Sequence, residues 1–198
     1  RSAGPGKPTV AEYADVVCRF LDALNIDRAV IVGSSMGGAI AQFLGINHAD
    51  RVQGLGLVGT GARLRVLPAF LTGIVDDTLR TVALINEALF TTGADPGIKA
   101  LSERGMLDCG PQVLHEDYAA CDIFDVREHI SKIRAPTLVL CGDQDKMTPV
   151  KYSQYLAERI PGATLEIITG AGHLVMLEKP DEVNRSLVRF LDQIAAAA

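Results

Sequence analysis

The stretch Ala29–Phe43, AVIVGSSMGGAIAQF, passes from a β-branched apolar run through two serines and three glycines straight into a helical pattern. Few backbones accept that order. The apolar run reads as a buried strand, and Met36 to about His48 reads as a helix, so the chain must reverse direction within a few residues. Gly33-Ser34-Ser35-Met36-Gly37 fits G-x-S-x-G in the strand-to-helix setting that gives the pattern its meaning. A turn that sharp is expected to force Ser35 into sparsely populated φ/ψ space and to lift its hydroxyl above the sheet. Gly33 and Gly37 are expected to be glycine because a Cβ would collide with the neighbouring strand or helix. The same turn aims the first helical amides, Met36 N–H foremost, at negative charge developing beside the serine. A plain Gly/Ser turn or a phosphate-binding loop has the same local composition, so the rest of the chain must decide.

Thr9, with Glu12 three positions on, fits a capping box opening an amphipathic helix over 10–24. Further strands are predicted at Val52–Val58, Pro136–Cys141 and Thr164–Ile168. Thr148 and Pro149 fit the cap and first position of a helix reaching about Ile160. A last helix starts near Pro180, with Val183, Leu187, Phe190, Leu191 and Ile194 on one face. Strands alternating with helices predict an α/β fold, a mostly parallel sheet with helices on both faces.

Residues 62–130 interrupt the alternation. Helical patterns at about 68–90 and 112–130 are separated by Gly93, Pro96, Gly97, Gly105, Gly110 and Pro111, with no convincing strand. The expected division is a core of 1–61 and 131–198 carrying an all-helical cap insertion over 62–130. Apolar cap residues such as Phe70, Ile74, Ile85 and Leu89 would close a pocket over the cleft, although core packing within the cap explains most of them.

In parallel sheets of this kind ligands lie beyond the carboxyl ends of the strands. A serine hydroxyl is a weak nucleophile and needs a base there. Of the four histidines, His173 alone sits in a glycine-rich loop directly after a predicted strand. His48 falls near a helix end, and His115 and His129 fall on charged helical faces. The base in turn needs an acid to fix its tautomer. Asp143 and Asp145 both follow the strand ending at Cys141; Asp145, deeper in the loop, is the expected partner, and Asp143 reads as a turn former bonding nearby amides.

Composition narrows the partners. Nineteen Lys and Arg against 24 Asp and Glu leave a net charge of −5 without a basic stripe, which argues against nucleic acid. No apolar run approaches the roughly 20 residues of a bilayer span, so no membrane association is expected. Cys18, Cys109, Cys121 and Cys141 lack C-x-x-C spacing and read as reduced, mostly buried thiols rather than a disulfide or metal set, pointing to the cytoplasm. No metal or cofactor is expected, and the expected partner is a small ester or acyl substrate.

The stretches VIVGSSMGG, IRAPTLVLCGDQDKMTP and PGATLEIITGAGHLVMLEKPDEV resemble the nucleophile turn, acid loop and histidine loop of the α/β-hydrolase fold superfamily. The resemblance implies that fold with a helical cap and a triad of Ser35, Asp145 and His173 in the chain order Ser…Asp…His. It also implies Met36 N–H as an oxyanion donor. The implied activity is hydrolysis of small carboxylic esters through an acyl-enzyme. The alternatives are a carbon–carbon bond or enol-lactone hydrolase of ring-cleavage products and a non-catalytic ligand-binding protein on the same scaffold. Serine as nucleophile argues against the branches that use Asp. Two departures stand out: family members usually carry His where this chain has Ser34, and Arg1-Ser2 aligns with the end of the family's G-H-G-R-S loop. Without the strands that precede this loop in the family, Ala29–Val32 would be a bare apolar edge, which a preceding segment or a second copy is expected to cover.

Overall fold

A computed structural model describes residues 4–197, so the alignment of Arg1-Ser2 lies outside the described residues. The apolar runs form parallel strands β1 (Ala29–Ser34), β2 (Val52–Val58), β3 (Thr137–Gly142) and β4 (Thr164–Ile168), hydrogen-bonded in that order. Every pairing is parallel, with Leu57 opposite both Gly33 and Val139. Parallel neighbours need crossovers, and helices supply them on both faces.

Alternation along each strand divides the core in two. Ile31, Leu55, Leu57 and Val139 pack with Leu44 and Leu156, which come from α2 (Met36–Asn47) and α7 (Val150–Arg159). On the same side lies α1 (Val10–Ala23), capped by Thr9 Oγ1 accepting from Glu12 N at 3.2 Å. On the opposite side Val58, Leu138, Leu140 and Ile168 meet Val183 and Phe190 of α9 (Pro180–Ala197).

Between β2 and β3 the chain forms α3 (Pro68–Asp76), α4 (Thr78–Leu89), α5 (Pro96–Cys109) and α6 (Pro111–Asp122). Ile74, Val82, Ile85, Leu89, Phe90 and Leu114 form their shared core, with Met147 and Leu174 packed against it from the sheet side. The helical pattern over 68–90 is two helices broken at Asp77, whose carboxylate accepts from Arg80 N and caps α4. Helix α5 occupies the stretch where glycines and prolines predicted only separation. Pro96 loses no bond at the first helical position, and Asp95 caps it by accepting from Ile98 N at 3.0 Å. Helix α6 stops at Asp122 instead of 130, since Arg63 and Asp125 pair as an antiparallel bridge. That leaves His129 exposed ahead of a short 3-10 turn rather than on a helix. A further short helix, α8 (Val175–Glu178), follows His173.

The thiols are free, but burial is less general than expected: Cys141 is buried, Cys18 and Cys121 are half-buried and Cys109 is exposed. Among the described residues no helix is long and apolar enough to cross a membrane, and no cluster of three metal-ligating side chains occurs.

Candidate active site

Ser35 joins β1 to α2 at φ 52° and ψ −115°, outside the regions open to residues with side chains, at a cost of about 1–3 kcal/mol. Hydrogen bonds hold it there. Ser35 N–H donates to Val58 O at 2.9 Å, and the Ser35 carbonyl accepts from Ala39 N at 3.1 Å and from Thr60 Oγ1 at 2.8 Å. A Cβ on Gly33 would stand 2.1 Å from Gly37 O, so strand and helix approach this closely only with glycine at 33. Gly37 departs from the sequence expectation: a Cβ there would meet nothing within 4 Å, because the residue faces a cavity. The steric demand falls on Gly38, whose Cβ would lie 2.6 Å from Thr60 Cγ2. Met36 N–H, at the first helical position, has no intrahelical carbonyl to bond, and Met36 lines the same cavity.

His173 lies at the carboxyl end of β4, anchored by its own N–H and that of Leu174, which both donate to Leu89 O at 2.9 and 3.1 Å. Its ring is buried, with Nδ1 at 2.9 Å from Asp145 Oδ2 and 3.1 Å from Oδ1. This network assigns the proton to Nδ1, donating to the carboxylate, and leaves Nε2 as an acceptor. Asp145 also accepts from Met147 N, Thr148 N and Thr148 Oγ1, each at 2.8 Å. Burial pushes the Asp145 carboxyl up, but the hydrogen bond and charge of His173, with the Thr148 bonds, outweigh it and hold the group below its ordinary range.

Thr148 therefore does not cap α7, as its position predicts. Pro149 occupies the cap position, and the Thr148 hydroxyl turns back to Asp145, 3.2 Å from His173 Nδ1. Asp143 bonds an amide as expected, but across to the histidine loop, accepting from Gly170 N at 2.7 Å.

Ser35, Met36 and His173 line one cavity of about 310 Å³. Asp145 stands behind the imidazole. Among the described residues no hydrogen bond joins Ser35 Oγ to His173; catalytic hydrogen bonds are commonly loose before a substrate arrives. Leu64, Val66, Leu89, Leu114, Tyr118 and Met147 give the cavity an apolar wall, while Arg65, Asp117 and Tyr152 give it polar points. Burial pushes the Asp117 carboxyl up despite the bond that Tyr13 Oη donates to it. Burial first, and Asp117 with it, pushes the Tyr13 phenol up to about 12. Burial likewise pushes the Cys121 thiol in the wall up to about 12, which leaves it protonated and unreactive at neutral pH. Ser34, standing where the family usually has His, buries its hydroxyl without a partner among the described residues.

Thr60, Asp117 and Glu178 escaped the sequence reading. Glu178 accepts from Gly172 N at 2.7 Å, Thr91 N at 2.9 Å and Thr91 Oγ1 at 2.5 Å, tying the histidine loop to the residues after α4. Spacing reveals none of these three, since Ser35 lies 25 residues from Thr60, Tyr13 104 from Asp117 and Thr91 87 from Glu178. Thr148 had a legible signal in Asp145 three positions ahead of it.

A family model described as the alpha/beta hydrolase fold matches residues 2–180. A thermophilic esterase of known structure is 38% identical with a TM-score of 0.87, covering 98% of this chain and 75% of that one. The enol-lactonase from Burkholderia xenovorans LB400 is 26% identical with a TM-score of 0.91, covering 96% of this chain and 76% of that one. The pimeloyl-(acyl-carrier protein) methyl ester esterase of Neisseria meningitidis serogroup B / serotype 15 (strain H44/76) is 30% identical over 183 residues, 85% of this chain and 69% of that protein. Sequence and fold thus agree over most of the chain, which belongs to the α/β-hydrolase family and is a hydrolytic enzyme.

Proposed function

We propose that the chain is a serine hydrolase of small carboxylic esters, with Ser35 as nucleophile, His173 as base and Asp145 as the group that orients the base. The observation that carries this reading is the buried imidazole whose Nδ1 is committed to Asp145, on the same cavity as the strained Ser35. His173 Nε2 takes the proton of Ser35 Oγ as that oxygen attacks the acyl carbon. Met36 N–H, at the positive end of α2, donates to the oxyanion of the tetrahedral intermediate. Its collapse breaks the bond to the leaving alkoxide, which receives the proton from Nε2. Water then repeats the cycle on the acyl-enzyme and releases the acid.

In this reading residues 62–130 act as a cap whose apolar wall selects the acyl or alcohol group. The similarity to an enol-lactonase favours a second substrate class, enol-lactones, opened by the same three residues. Comparing nitrophenyl esters with an enol-lactone as substrates separates the two. Ser35→Ala is expected to lower kcat by on the order of 10⁶-fold while the circular dichroism spectrum and thermal transition remain those of a folded protein. Retained hydrolysis in that variant would remove Ser35 from the reaction.

A further inference from the structure

A second cavity, of about 360 Å³, adjoins the first, and its charged lining is wholly cationic: Arg63, Arg65, Arg127 and Lys151, with Tyr152 and Tyr155. Arg65 and Tyr152 line both cavities, so the two are contiguous around these side chains.

The clustering follows from backbone period. Val126 N–H donates to Ala62 O at 2.8 Å and Leu64 N–H to Phe124 O at 3.3 Å, and with the Arg63–Asp125 bridge these segments form a short antiparallel ribbon. Alternate residues of a ribbon share a face. Ala62, Leu64, Phe124 and Val126 are buried in the core, which sends Arg63, Arg65, Asp125 and Arg127 outward together. Helix α7 adds Lys151 and, one turn on, Tyr155.

The charges do not cancel. Asp125 accepts from Arg127 through Nε at 2.9 Å and Nη2 at 2.7 Å and lies 3.6 Å from Arg63 Nε, so one carboxylate serves two guanidinium groups. Arg65 Nε lies 3.7 Å from Asp122 Oδ1. Lys151 is in no ion pair among the described residues. Four cations against the two carboxylates in direct ion pairs leave an excess of positive charge in a concave site with unused Arg and Lys donors, and Glu128 attracts Arg127 without an ion pair among the described residues. On a chain with a net charge of −5 the general field does not explain this concentration. Asp117, the acidic group of the neighbouring cavity, is bonded to Tyr13.

We propose that this cationic cavity holds an anionic oxyacid group, a carboxylate or phosphate, at the end of the substrate remote from the bond that Ser35 attacks. The inference rests on Ser35 being the nucleophile of the adjoining cavity. It narrows the substrate class to half-esters or lactones bearing a second acid. Planar guanidinium forks suit both oxyacids, and Lys151 adds an unpaired point charge.

Monomethyl adipate and methyl 4-phosphonobutanoate, as carboxylate and phosphonate probes, are to be compared with neutral dimethyl adipate. At 10 mM salt kcat/KM is expected to favour at least one anionic ester by about tenfold or more. The advantage should reside in KM and shrink in 0.2 M salt as screening shortens. Lys151→Glu removes no ion pair and is expected to cut the anionic-to-neutral ratio by about tenfold or more. Calorimetric titration of the same esters into Ser35→Ala, with and without Lys151→Glu, reads the subsite without turnover. The anionic esters should bind more tightly than the neutral one, and the charge reversal should abolish that difference. Hydrolysis of the neutral ester with no anionic preference, or a preference insensitive to Lys151→Glu, overturns the subsite and leaves the serine mechanism standing. Anionic selectivity in binding without any Ser35-dependent hydrolysis overturns the mechanism and keeps the subsite as a binding site.

Discussion

At Asp145 two opposing effects meet. Burial disfavours its charge, while His173 and Thr148 favour it, and the second set is stronger. A carboxyl held below its ordinary value contributes stability that is complete above the unfolded pKa of about 3.9 and is lost as pH falls through the folded value. The gap in melting temperature between the native chain and Asp145→Asn is therefore expected to be constant near neutrality and to narrow below about pH 4; thermal scans from pH 7 to 2 check this. The same substitution is expected to lower kcat by on the order of 10⁴-fold at pH 7, because the amide no longer holds the imidazole tautomer. The positions of Ser35, Asp145 and His173 beyond strand ends were legible in the sequence because the apolar pattern marks where each strand stops. Thr148 was only half legible: Asp145 stands three positions ahead of it, but the rule placing Thr before Pro at a helix start competes with the pull of that buried carboxylate.

Elements show the same division. Strands β1 to β4 and helices α1 and α9 could be read off because each buries one face against the sheet, and burial imposes a period. Helix α5 has no fully buried residue and contains Gly97 and Gly105, so neither period nor propensity announces it. Its existence rests on Asp95, Pro96 and the packing of Ile98, Met106 and Leu107 on the core shared by α3 to α6. The coupling of the segment after α4 to the histidine loop was likewise invisible, since it runs through Glu178, 87 residues from Thr91. Glu178→Ala removes three hydrogen bonds to one half-buried carboxylate and is expected to cost about 2 kcal/mol, or roughly 4–8 °C in melting temperature for a chain of this size. It should also lower kcat, because Gly172 directly precedes His173, the proposed base. A melting temperature within 1 °C of the native value would show, by the same conversion, that water replaces those bonds at no cost.

At the scale of the whole molecule, β1 stands at one end of the strand order formed by the described residues. Val32 is 47% exposed on the α9 side, and only β2 pairs with β1 among the described residues. Such an edge recruits other strands. The 198-residue chain is expected to self-associate as its concentration rises, and Val32→Lys to shift it towards monomer in sedimentation experiments. A monomer at all concentrations would show the edge to be harmless. The cationic cavity belongs to this scale too: Arg63 and Arg127 stand 64 positions apart and meet only once the ribbon forms.

The central claim, that folding activates Ser35 through His173 and Asp145, is tested most directly by a fluorophosphonate probe followed by peptide mapping. Labelling confined to the Ser35 peptide in the native chain, and lost in His173→Ala and on unfolding, is the predicted result. A native, folded chain that takes no label at Ser35, or takes it equally well without His173, would contradict it.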